Sequence, residues 1–139
     1  MCACGCGCGA AQARPGELWQ AAEAADEARV VDLLARGADA DDAEGNGCTA
    51  LWWAAHKGHP GIVGLLLGGG ADAGRAGVNG STPLITAAAN GHAPVCRQLL
   101  AAGAAVNAKN QHGETALKYA KLCNKADCAK VLQAAGGVE

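Results

Sequence analysis

The residues best suited to chemistry stand at the start of the chain, where Cys2, Cys4, Cys6 and Cys8 alternate with small residues. Thiolates at this spacing can wrap a soft cation such as Cu(I) or Zn(II), and cysteines so near an N-terminus can also accept thioester-linked lipid. A run without a histidine is equally what a flexible low-complexity leader looks like. That is the favoured reading of residues 1–15, with a metal or redox-handling role and lipid anchoring as its alternatives. The remaining cysteines do not resemble a secreted disulfide framework. Cys96 and Cys128 fall at apolar helix positions and belong in the core, whereas Cys48 and Cys123 are expected to be exposed, with nothing adjacent to lower either thiol's pKa.

The histidines offer less. His59 and His92 each follow a glycine and share one place in a sequence period, so they belong to the architecture. His56 and His112 fall off that register and are expected on the side that meets a partner. A nucleophile, a base and an orienting group must converge in a pocket to cooperate, and nothing in the spacing gathers them. Gly74, Gly77 and Gly80 do not precede a long helix and lack the lysine of a phosphate loop. No enzyme activity and no cofactor are expected.

The elements that must position these residues follow from composition and periodicity. Half of the 139 residues are apolar, but only 3% are aromatic and none is phenylalanine. Such a chain suits one domain of helices packed closely through alanine. Net charge is −2, which favours neither a nucleic-acid nor a membrane-surface partner. No run reaches the length of a membrane helix and the first residues do not read as a basic segment followed by an apolar stretch, so the expected setting is the cytoplasm, with the nucleus also open. The charge is unevenly placed: residues 1–72 carry −6 and residues 73–139 carry +4. This gradient along the chain either reflects solvated outer faces or orients a partner.

Sliding the sequence against itself by 33 residues aligns Gly47, Gly80 and Gly113, then Thr49, Thr82 and Thr115, without a gap. Leu18, Leu51, Leu84 and Leu117 form a four-fold set, as do Leu33, Leu66, Leu99 and Leu132. Within one period, Thr82 caps a helix whose first residue is Pro83, and Asn90-Gly91 ends it after about two turns. A second helix carries Val95, Cys96, Leu99 and Leu100 on its apolar face and stops at Gly103. An extended stretch follows, with turn residues at its tips: Gly45-Asn46-Gly47, Val78-Asn79-Gly80 and Gln111-His112-Gly113. Each unit is therefore helix, turn, helix and hairpin finger. Two short helices cannot bury their stripe alone, so the units must stack.

Gly-Ser-Thr-Pro-Leu-Ile-Thr-Ala-Ala-Ala-Asn-Gly-His at 80–92, with Leu-Leu-Ala-Ala-Gly-Ala at 99–104, resembles the ankyrin repeat, and the likeness extends over about residues 16–137. The resemblance implies an all-α solenoid of stacked helix-turn-helix units with β-hairpin fingers. Residues 16–139 would form the domain, with repeats at about 16–46, 47–79, 80–112 and 113–139. The end repeats deviate as caps should, acidic at the first through Glu23, Asp26, Glu27 and Asp32, and basic at the last through Lys118, Lys121, Lys125 and Lys130. A complete, self-folding monomer is expected. The family's histidine after Thr-Pro-Leu is replaced by Trp52, Ile85 and Lys118, so its hydrogen-bond network should be largely missing. Gly64 and Gly68-Gly69-Gly70 should make the second helix of repeat two the readiest to fray.

The family likeness also implies what the chain does: it binds another protein through finger tips and inner helices, as adaptor, scaffold or inhibitor. Carried onto this sequence, that surface is Asn46, Cys48, Trp53, His56 and Lys57 in the second repeat. The third contributes Val78, Asn79, Ser81, Ala89 and Asn90, and the last Lys109, Gln111, His112 and Glu114. Trp52 and Trp53 could concentrate binding energy, though Trp52 also suits the core and Trp53 could serve either. Asn107, eight residues after Leu99, matches the spacing at which ankyrin asparagines are hydroxylated, although asparagine here also suits a turn.

Overall fold

The computed structural model describes residues 16–137. Four helix pairs follow one another: α1 (Glu17–Glu23) with α2 (Glu27–Ala35), α3 (Ala50–Lys57) with α4 (Pro60–Gly68), α5 (Pro83–Asn90) with α6 (Ala93–Ala101), and α7 (Ala116–Leu122) with α8 (Ala126–Ala134). Helices α1, α3, α5 and α7 pack successively into an inner row, and α2, α4, α6 and α8 into an outer one.

The same chemistry builds each pair. Thr49, Thr82 and Thr115 sit extended before α3, α5 and α7, and each hydroxyl accepts the N–H of the residue three further on, at 3.2, 3.2 and 3.3 Å. This satisfies one of the first-turn amides that a helix leaves orphaned. The inner helices turn into the outer ones through a left-handed residue, Ala25, Gly58, Gly91 and Asn124, at φ +60, +76, +79 and +58°. Leu18, Leu51, Leu84 and Leu117 are almost fully buried in the inner row, and Leu33, Leu66, Leu99 and Leu132 in the outer. Each contributes about 1.5–3 kcal/mol through burial. Ala54, Ala55, Ala87, Ala88 and Ala120 between them have no exposed surface, so the inner helices can approach closely.

The fingers depart from expectation. Instead of hairpin strands, they are turns, and Ala43 with Thr49 makes an isolated bridge. Each tip is closed by one backbone hydrogen bond: Glu44 N–H to Cys48 O, Gly77 N–H to Ser81 O and Asn110 N–H to Glu114 O, at 3.0, 2.8 and 3.0 Å. The chain entering each finger is already turned, by Asp42 N–H to Asp39 O, Arg75 N–H to Asp72 O and Ala108 N–H to Ala105 O. A segment bent at that point cannot extend a ladder beyond a single pair. Neighbouring fingers are tied by Gln111 N–H to Asn79 O at 3.0 Å and by Asp72 N–H to Asp41 Oδ1 at 2.8 Å.

Two further expectations change. Cys48 is fully buried. Its thiol lies beneath the next finger, where Sγ accepts the Val78 N–H at 3.4 Å, and burial pushes its pKa up. The hydrogen-bond link to the next finger is also not lost at Trp52, whose indole N–H donates to Ser81 O at 3.0 Å. The larger ring reaches a carbonyl in the following repeat and is itself 6% exposed. Helix α4 is formed throughout, and the Gln98 amide donates across the joint to Pro60 O at 2.9 Å and lies over Gly64, 3.5 Å from where a Cβ would stand. Cys96 and Cys128 are buried as expected, and Cys123 is exposed.

Candidate functional site

The inner helices and finger tips share one side of the stack. The period places Gln20, Trp53, Thr86 and Tyr119 in one row across it, and Glu23, His56, Ala89 and Leu122 in the next. Aromatic rings cluster toward the first pairs. Trp19 and Trp53 stack with centroids 6.4 Å apart, Trp52 meets Trp53 edge-on at 5.3 Å, and His56 lies flat on Trp52 at 5.0 Å. Trp53 is half-buried, and among the described residues its Nε1 is enclosed without an acceptor.

His56 joins this cluster to α5. Its Nδ1 lies 2.8 Å from Thr86 Oγ1 and receives the Asn90 amide at 3.0 Å, an arrangement that fits the neutral ring with its proton on Nε2. Partial burial, reinforced by Lys57 and His92, lowers the imidazole's pKa. The same Asn90 amide donates to Thr86 O at 3.0 Å, and His92 Nε2 donates to His56 O at 3.1 Å. The groove floor between α3 and α5 is thus fixed by polar contacts around one ring, which removes rotamer freedom before any partner arrives.

The last finger has its own brace. Tyr119 donates to Glu114 Oε1 at 2.9 Å and accepts from the Asn110 amide at 3.0 Å, while Asn110 Oδ1 accepts from His112 N–H and Glu114 N–H at 2.8 and 3.1 Å. The phenol's hydrogen bond holds Glu114 below the usual carboxylate range and raises Tyr119 correspondingly.

Of the sequence-derived surface, Asn46, Lys57, Val78, Asn79, Asn90, Lys109, Gln111 and His112 are exposed, and Trp53, His56, Ser81, Ala89 and Glu114 are half-buried. Cys48, being buried, presents no surface to a partner. The structure adds Trp19, Tyr119 and the 64%-exposed Leu122 to this side, with Thr86 buried beneath it as a partner of His56. Sequence reasoning missed Thr86 and Tyr119, although counting one and two periods on from Trp53 finds them. Among the described residues no group of three or more His, Cys, Asp or Glu side chains could hold a metal. Cys2, Cys4, Cys6 and Cys8 lie outside the described residues. Asn107 is exposed, its amide 3.4 Å from Gly136 O.

The family model for ankyrin repeats, in three copies, matches residues 18–110 and 60–138, which together span most of the chain. The chain belongs to the ankyrin-repeat family. No curated protein matches it. Ankyrin repeats are generally protein–protein interaction modules and are typically non-enzymatic. The ankyrin-repeat architecture explains why the exposed polar residues lie at finger tips while the leucines and alanines repeat without change. Positions that join neighbouring repeats are committed to packing, and those between them are released for recognition. No helix among the described residues is long and apolar enough to cross a membrane.

Proposed function

We propose that this ankyrin-repeat chain is an adaptor, scaffold or inhibitor that holds a protein partner against its fingers and inner helices, without a cofactor. The observation that supports this most is the braced surface running from the Trp19–Trp53–Trp52 cluster through His56 to Asn90. Tryptophan and its rigid neighbours concentrate binding energy where a partner excludes water, and a surface already held in place loses little entropy on docking. Asn46, Asn79, Gln111 and His112 at the finger tips supply the polar rim. An acceptor on the partner, such as a backbone carbonyl, would complement the Trp53 indole once the ring shifts outward.

The test is a pull-down from source-cell extract comparing the wild type with a double variant, Asn79→Gly and His112→Ala. Glycine keeps the left-handed backbone at residue 79 while removing its side chain. Loss of a specific partner from the folded double variant supports the reading. Retention of every partner by that variant, with loss on deleting residues 2–9, would transfer the function to the cysteine leader.

A further inference from the structure

The two ends of the stack complement one another, and the geometry points to head-to-tail self-association: the α7–α8 end of one copy receives the α1–α2 end of a second. At the last two internal joints, the residue just before an outer helix reaches back over the left-handed corner of the preceding pair. The His92 ring covers Gly58 so closely that a Cβ there would meet Nδ1 at 2.4 Å, and Lys125 covers Gly91 with its Cδ 2.8 Å from such an atom. The next corner in the series is Asn124. It opens on a recess of about 360 Å³ lined by Ala120, Lys121, Asn124, Lys125, Ala126 and Ala129. At the other end of the stack Asp26 stands in the covering position, before α2, with no earlier pair among the described residues to cover.

Carrying the internal contacts forward by the 33-residue period gives the register of the joint between copies. The relation of His92 to Gly58 becomes Asp26 of a second copy over Asn124, in a recess flanked by two lysines. The approach of Gln98 to Gly64 becomes Asp32 of the second copy beside Lys130, and that of Glu27 to Gly61 becomes Ala126 beside Ala28 of the second copy. The bond between Asn90 and His56 becomes a contact of Ala24 of the second copy with Leu122, the most exposed large apolar side chain among the described residues. These four projected pairs are opposite in charge, polar or apolar, and none sets like charges together, whereas the bond from His92 Nε2 to His56 O has no counterpart, since its projection would face the Asp26 carboxylate with Leu122 O. Asp32 already pairs with Arg36 at 3.2 Å, so Lys130 would join an exposed ion pair rather than break a buried one. An acidic peptide would match the charge of this end, but it would leave Leu122 and the alanines unmatched and would ignore the acidic opposite end. A second copy meets all of these at once. Because the contact is heterologous and does not close, it builds linear chains of copies.

Sedimentation of the full chain under reducing conditions, from micromolar to millimolar, tests this. The weight-average mass should climb with concentration at low salt and fall back toward the monomer in half-molar salt, where exposed charges are screened. Asp32→Lys and Lys130→Glu should each weaken association by about fivefold, the upper worth of one exposed ion pair. An equimolar mixture of the two variants should recover it, since the reversed ends then match. A monomer at every concentration in low salt overturns the proposal. So does association that survives both charge reversals unchanged, which would place the contact on another face, or association that reductant alone abolishes, which would be cysteine cross-linking.

Discussion

Gly58→Ala should destabilise the domain by about 2–3 kcal/mol, and the figure can be divided between two causes. Gly58 has φ +76°, where an L-residue other than glycine costs about 1–2 kcal/mol. The new Cβ would also fall 2.4 Å from Nδ1 of His92 and 2.5 Å from its Cε1, so the ring must leave its place. Moving it breaks the hydrogen bond from His92 Nε2 to His56 O, worth about 0.5–1.5 kcal/mol. Gly103 provides the control: it has φ +91° and nothing within 4 Å of a Cβ, so Gly103→Ala should show the backbone cost alone. Urea unfolding followed by far-ultraviolet circular dichroism measures both variants, with the change read from the midpoint at unaltered slope. Gly58→Ala should be the worse by about 1 kcal/mol. Equal losses would refute the claim that the His92 ring closes the corner of the preceding repeat.

Trp52→Phe keeps most of the buried ring but removes the donor to Ser81 O, and should cost about 1 kcal/mol while speeding amide exchange at Gly77 and Val78 in the second finger. Alkylation under native conditions, followed by peptide mass mapping, should modify exposed Cys123 rapidly and spare Cys48, Cys96 and Cys128 until the chain unfolds. Burial depresses the His56 pKa below its unfolded value of about 6.5, so the unfolded chain takes up the proton first. The stability contributed by the neutral ring is therefore complete above that value and is lost as pH falls below it; His56→Asn should flatten that part of the pH–stability profile.

The repeat was legible because its constraints are local and recur. A threonine before α3, α5 and α7, a turn after each inner helix and a buried leucine in each helix are read from spacing alone, and Thr49, Thr82 and Thr115 cap as their positions require. What the sequence hid are contacts between repeats. The reach of Trp52 to Ser81 O spans 29 residues and depends on ring size, which periodicity does not encode. Cys48 was misjudged because a finger residue reads as exposed until the next finger is seen to lie over it. The hairpin fingers failed for a related reason: turns at Asp39–Asp42, Asp72–Arg75 and Ala105–Ala108 consume the residues that a second ladder rung needs. On the candidate surface, the polar tips were legible as turn residues, while Thr86 and Tyr119 matter through their partners rather than their types.

All three tryptophans, Trp19, Trp52 and Trp53, lie in the first two helix pairs, and the single tyrosine, Tyr119, lies in the last. The two halves of the stack therefore carry separate optical labels. Indole emission reports the first two pairs, whereas dichroism reports helices throughout. In a linear array each unit is held only by its neighbours, and melting can begin at one end. Loss of the α7–α8 pair would lower the helical signal and leave the indoles in place. The native chain thus distinguishes unravelling from its basic end from collapse of the whole stack, with no added dye.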